Sequence, residues 1–337
     1  SGNVMTLTDG DNPTGSLEGK DYCFFGLFFN CESLTKAPSL PATTLAPHCY
    51  LYMFAATGLT SAPQLSATNL APNCYEGMFY GCKALTQAPA LPVMNLANGC
   101  YAGMFRSSGL TEAPALPATN LVRECYDEMF HSCNSLTQAP ALPATTLAPN
   151  CYHAMFYQCE NLTTAPELSA MNLADSCYRE MFAFSGLTQA PELPATNLFK
   201  NCYSNMFASC MGLTEAPKQL PATTLAEECY SEMFAGTNLT KAPELPATTL
   251  VRKCYRNMFD GCHKLNYLKV NFTLWEEDIN ATFGWVRGVS SVGTFVCPMD
   301  LNTSARNDSH VPQGWTVEHP PYLCFTADEA GSVKLNV

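Results

Sequence analysis

Cysteine is the residue whose type and spacing could do the most chemistry in this chain, and there are 18 among 337 residues. Ten share one register: Cys23, Cys49, Cys74, Cys100, Cys125, Cys151, Cys177, Cys202, Cys229 and Cys254, each followed by Tyr or Phe. Six more, Cys31, Cys82, Cys133, Cys159, Cys210 and Cys262, stand eight residues further on. Elsewhere that second place is held by Thr57, Ser108, Ser185 or Thr237. The first register keeps its cysteine where the second loses it, which argues against a disulfide within each copy. Zinc sites set their cysteines roughly two to four residues apart, closer than these. The favoured reading is free thiols stacked in buried ladders, where Cys acts as a small hydrophobe. Disulfides and a metal are the alternatives, and whether Cys297 and Cys324 pair stays open.

Other reactive sets are absent from the sequence. His48, His131, His153, His263, His310 and His319 fit no ligand motif such as His-Glu-x-x-His. Glu276-Glu277-Asp278 reads as the acidic start of a helix rather than as catalytic carboxylates. No phosphate loop, nucleophile elbow or dinucleotide fingerprint occurs. No catalytic residue, cofactor or metal is expected, and the chain does not read as an enzyme.

The elements that carry these residues follow from a repeat. Leu-Thr recurs at Leu34, Leu59, Leu85, Leu110, Leu136, Leu162, Leu187, Leu213 and Leu239, in steps of 25 or 26 residues. A period of this size marks a solenoid, in which each unit buries its apolar side against its neighbours. A proline in every full copy, such as Pro63 or Pro89, should end a short strand after Leu-Thr. Cys74-Tyr75 and Met78-Phe79 lie at i, i+1, i+4 and i+5, which predicts a short helix packed on the strand. Helices are wider than strands, so the stack should curve with the strands on its concave face. The fold class expected is an α/β repeat: a curved solenoid with concave strands, convex helices and a cap at each end.

Residues 1–33 read as an N-terminal cap with a degenerate copy that has the helix half and lacks the strand half. The solenoid spans 34–270. Lys269 replaces the repeat's proline, so a longer strand is expected at 265–270. Residues 271–318 carry Trp275, Trp285 and Trp315 and read as a closing cap. A helix is expected from Trp275 to Trp285, with Ile279 and Phe283 inward. Residues 319–337 read as a linker or the start of a further β-domain.

The net charge of -12 and pI near 4.9 argue against a nucleic-acid groove. No apolar run is long enough to span a bilayer. The chain opens with no charged and apolar leader, which predicts a cytosolic protein or one whose targeting segment has been removed.

The pattern LTxAPxLPATxLxxxCYxxMFxxC, present in nearly every copy across roughly residues 17 to 270, resembles the leucine-rich repeats of BspA-like bacterial surface proteins. The ending around Gly288-Val289-Ser290 and Pro312-Gln313-Gly314-Trp315 is similar to the closing segment of such proteins. The resemblance implies a curved leucine-rich-repeat solenoid, export, and outer-surface display on a lipid anchor supplied by a segment outside this chain. It implies adhesion to host proteins or other cells; the partner expected is a host or bacterial surface protein or glycan, and the chain is expected to be a monomer.

The candidate binding residues are those that vary two places after each leading Leu: Lys36, Gln87, Glu112, Gln138, Gln189, Glu215 and Lys241. They would line the concave strand face, whose C-terminal half is the more acidic and suits a basic or polar partner. Two other functions fit the same residues: a spacer that presents a neighbouring domain, or sugar binding by the tryptophans of the closing cap. Core packing is the plainer role for those tryptophans.

Overall fold

A left-handed residue at every fourth position shapes the half of each repeat that carries Cys-Tyr and Met-Phe. The computed structural model describes residues 2–9, 15–320, 324–327 and 333–336. In the coil containing Cys74, φ is +53° at Asn73, +57° at Gly77 and +70° at Gly81. Alternate amides close four-residue turns: Cys74 N–H donates to Ala71 O at 3.2 Å, Glu76 to Asn73 at 3.3 Å and Met78 to Tyr75 at 3.2 Å. The amides between them donate to the next coil. Asn73 reaches Asn98 O at 2.9 Å, Tyr75 reaches Cys100 at 3.0 Å, Gly77 reaches Ala102 at 2.8 Å, Phe79 reaches Met104 at 2.9 Å and Gly81 reaches Arg106 at 2.8 Å. The same alternation runs from the coil of Tyr22 and Phe24 through that of Lys253 and Tyr255.

The short helices expected on this side therefore do not form. A helix needs right-handed φ throughout and bonds each amide within its own segment. Here every fourth residue is left-handed and half the amides leave the coil. Asn, which tolerates that conformation better than most residues, and Gly supply many of these positions. The expected curvature rested on helices being wider than strands. That premise is gone, because coil-to-coil hydrogen bonds hold the turn side at the same kind of spacing as the opposite side.

On the opposite, bridge side the recurrent proline removes a backbone donor from every full copy of the repeat. Pairing is reduced to isolated parallel bridges such as Leu40 with Leu65, Gln87 with Glu112, Asn172 with Asn197 and Gln189 with Glu215. The first strand of any length, Tyr267–Lys269 (β1), appears where Lys269 stands in place of the proline, as the sequence suggests. It pairs in parallel with Thr294–Val296 (β2), which pairs with Thr316–Glu318 (β3).

Between the two sides lies one continuous core. Aromatic rings stack in two files along it. One runs from Phe24 through Tyr50 and Tyr75 to Tyr255, with centroids 5.6–6.0 Å apart. The other runs from Phe28 to Phe259 at 5.5–5.9 Å. Each such pair is worth about 0.5–1.5 kcal/mol beyond burial. Both files end on Trp285, 6.3 Å from Tyr255 and 6.5 Å from Phe259.

The two ends depart from expectation. Asn3 bridges Ser39 and Ser16 bridges Thr44, while Val4, Met5 and Leu17 are buried, so the first coil does possess a bridge half. A short helix, Thr6–Asp9 (α1), lies within it. In the closing region the repeat sequence stops but the backbone continues to coil. Asn280, Gly284 and Gly288 are left-handed, and Tyr255 N–H donates to Ala281 O at 2.9 Å. Only Glu277–Ile279 is helical there, as a 3-10 turn. Phe283 faces solvent, and Trp285 takes the inward place expected of it. Beyond this, Cys324–Ala327 (β4) and Val333–Asn336 (β5) form an antiparallel pair. Tyr322, Leu323, Ser332 and the Cys324 side chain, with its proposed pairing to Cys297, lie outside what the structure describes.

Candidate functional site

All seven candidate residues, Lys36, Gln87, Glu112, Gln138, Gln189, Glu215 and Lys241, are exposed on the bridge side. Beside them runs a file of exposed threonines, and Thr111 N–H reaches Thr86 O at 3.1 Å. Gln87 bridges Glu112, and Gln189 bridges Glu215. Lys36 and Gln138 make no such bridge. The Lys241 ammonium stands 4.9 Å from the centre of the Tyr267 ring, a cation–π arrangement.

The C-terminal part of this side is concave. A trough of about 750 Å³ is lined by Thr164, Glu167, Met171, Gln189 and Glu192 among others. A second, of about 870 Å³, is lined by Glu192, Glu215, Lys218, Lys241 and Glu244 among others. Glu192 belongs to both, so the troughs are contiguous. Four carboxylates, of Glu167, Glu192, Glu215 and Glu244, meet two ammonium groups, of Lys218 and Lys241. The local charge is negative. Lys269 also reaches Glu244 at 3.2 Å. The structure thus gathers Gln189, Glu215 and Lys241 into one depression, while Lys36, Gln87, Glu112 and Gln138 lie outside it.

The cysteines are free at all 17 positions where the structure describes them. Each buried thiol of the second register donates to the carbonyl of a Phe in the preceding coil. Cys82 reaches Phe54 O at 3.0 Å, Cys133 reaches Phe105 at 3.0 Å, Cys159 reaches Phe130 at 3.1 Å, Cys210 reaches Phe182 at 2.9 Å and Cys262 reaches Phe234 at 3.0 Å. Burial pushes the Cys133 and Cys210 thiols up to about 11, against the pull of Ser108 and Ser185. The first-register thiols Cys49, Cys125 and Cys254 go up to about 12 for the same reason. Such groups stay protonated at neutral pH and are poor nucleophiles.

One cluster escaped the sequence reading. Asp127, Glu128 and His153 sit on the turn side with their ligand atoms within 4.8 Å of one another. His153 Nδ1 lies 2.7 Å from Asp127 Oδ1, and Glu128 is ion-paired with Arg106. Burial opposes protonation of His153, but its hydrogen bond to Asp127 and that carboxylate's charge prevail and raise its pKa. Each member already has a partner, so the set reads as an ion-pair network. Its signal was the equal register of Asp127 and His153 in successive copies, which places them side by side.

The three indoles are buried, and each N–H is bonded to the backbone. Trp275 donates to Asn302 O at 2.7 Å, Trp285 to His310 O at 3.0 Å and Trp315 to Ser290 O at 2.7 Å. Trp275 and Trp285 pack edge to face on each other, and both contact Phe295. Glu276-Glu277-Asp278 opens the 3-10 turn, and Glu277 also contacts His310 at 3.0 Å. Among the described residues, no helix is long and apolar enough to cross a membrane.

No family model matches the chain, and no curated protein matches it. A solved structure, the crystal structure of a leucine-rich repeat protein from Bacteroides ovatus, aligns with a TM-score of 0.47 and 16% identity. The alignment covers 87% of this chain and 80% of that one. The repeat architecture described above rests on this chain's own hydrogen bonds and not on that likeness.

Proposed function

We propose that this chain is a non-catalytic binding scaffold, a leucine-rich-repeat protein of the BspA-like kind. In this reading it is displayed at the cell surface by an anchor outside this chain and adheres to a host or bacterial macromolecule. The observation that carries the reading is the file of exposed, chemically varied residues over an unvarying core. A core that repeats while one surface file changes residue by residue separates the scaffold from what it recognises. The acidic double trough around Glu192 and Glu215 is the part of that file best suited to a partner, and its charge favours a basic or polar one. The burial of nearly all the thiols suits an oxidising exterior, because inaccessible protonated cysteines exchange slowly.

The test is saturable binding of the purified chain to a panel of matrix proteins, mucins and glycans. A variant with Gln189, Glu192, Glu215 and Lys241 all changed to Ser runs beside it. Loss of about tenfold or more in affinity, with an unchanged thermal midpoint, is the expected result. Equal binding by the variant would remove the trough from consideration. No binding by a folded sample would favour the second reading, a spacer, to which the hairpin of β4 and β5 beyond the last coil lends support.

A further inference from the structure

We propose that the N-terminal edge of the turn side is a docking site for a turn segment of the same repeat pattern, carried by a second polypeptide. This edge lies away from the bridge-side trough, and the inference does not depend on the adhesive reading.

Backbone polarity is the first observation. In the ladder of alternate amides along the turn side, each backbone bond runs from an amide to a carbonyl of the following coil. In the second coil the carbonyls of Pro47, Cys49, Leu51, Met53 and Ala55 are filled by Tyr22, Phe24, Gly26, Phe28 and Asn30. The equivalent carbonyls of the first coil belong to Asp21, Cys23, Phe25, Leu27 and Phe29. None of them accepts a bond from any described residue. They form a row of acceptors at alternate residues.

Side-chain exposure along the same edge is the second. Leu27 is 41% exposed, whereas Met53, Met78, Met104 and the other residues at its register are 0% exposed. Cys23 and Phe28 are half-buried where their successors are fully buried, and Cys31 is exposed where Cys82 and Cys133 are not. The core files thus run out into solvent at this end. At the other end Trp285 closes them.

These features select the occupant. Two copies meeting edge to edge would set acceptors against acceptors, so a symmetric dimer through this face gains no hydrogen bonds. The opposite end of a second copy, which carries the donors, is covered by the closing coils. What fits is an incoming segment that offers amides at alternate residues and apolar side chains at i, i+1, i+4 and i+5. That describes another turn segment of this repeat, adding to an open edge as a strand adds to a sheet.

Cys31 supplies the test. In the stacked coils the side chains at its register touch, as Thr57 Oγ1 and Cys82 Sγ do at 3.3 Å. The probe is a peptide of residues 71–82 of this chain with Cys74→Ala, its Cys82 held as a mixed disulfide with 2-mercaptoethanol. The protein carries Cys324→Ser, so that capture reports Cys31. The Cys31 thiolate attacks the peptide sulfur, and 2-mercaptoethanol leaves.

The adduct should survive about tenfold more competing 2-mercaptoethanol than one with a scrambled peptide of equal composition. Leu27→Glu, at an exposed position, should bring the matched peptide down to the scrambled level while circular dichroism stays native. Equal capture of matched and scrambled peptides would overturn the proposal. So would matched capture that Leu27→Glu leaves untouched.

Discussion

Phe105 O lies in the core and accepts both the Ser108 amide at 3.0 Å and the Cys133 thiol at 3.0 Å. The same place in other coils is held by Thr or Ser, and Thr57 Oγ1 donates to Phe54 O at 2.8 Å. What the position requires is a small side chain with a hydrogen to give. The sequence showed the exchange of Cys, Ser and Thr but pointed only to smallness, since nothing in it reveals which carbonyl lies opposite. Cys133→Ser should therefore be tolerated, whereas Cys133→Ala should cost about 1–2 kcal/mol, from the lost bond and a small void. Denaturant unfolding of the two variants checks this, and equal midpoints would mean that size alone matters. The first register is different. Its cysteines are invariant within the repeat, yet Ala281 stands at that place in the closing coil, and nothing in the structure explains why Cys is used elsewhere.

At the scale of the element, helix and turn ladder compete for one sequence pattern. Apolar residues at i, i+1, i+4 and i+5 suit both, because a period of 3.6 and a period of 4 hardly diverge over so short a span. The divergence shows one step further on. Cys74, Met78 and Cys82, at i, i+4 and i+8, are all fully buried, although a helix would turn the third about 80° away from the first. Asn73, Gly77 and Gly81 at the same spacing were the legible sign of left-handed turns. The strand halves were easier to read, because proline blocks pairing whatever its surroundings, and its replacement by Lys269 marks where β1 begins. Ala56 gives a test of opposite signs, with φ at +55°. In a helix Ala56→Gly would lose about 1 kcal/mol. In a left-handed turn it should gain up to about 1 kcal/mol, measured as a higher midpoint in thermal or denaturant unfolding.

For the whole molecule, the unequal ends set the order of events. All three tryptophans lie in the closing coils, where Trp285 covers the ends of both aromatic files, while the first coil keeps an open edge. Coils that contact only their neighbours unfold from the less stabilised end. Amides of the first two coils should exchange with deuterium before those near Tyr255. Far-UV circular dichroism should begin to fall before tryptophan fluorescence changes, and coincident transitions would show an all-or-none unit instead. The bridge-side file was fully legible as a set of exposed residues. The troughs were not, because they depend on how successive Leu-Pro turns are set against each other. The one-way bonding of the turn side also has an electrostatic consequence. An α-helix points its amides toward its N-terminus and is positive there. Here the alternate amides of the turn ladder point toward the C-terminus, at five per junction. Their dipoles add along the axis in the reverse sense, with the positive pole at the tryptophan-capped end and the negative pole at the open one. An anion drawn to this axial field would collect at the end of the chain where a helix would gather cations.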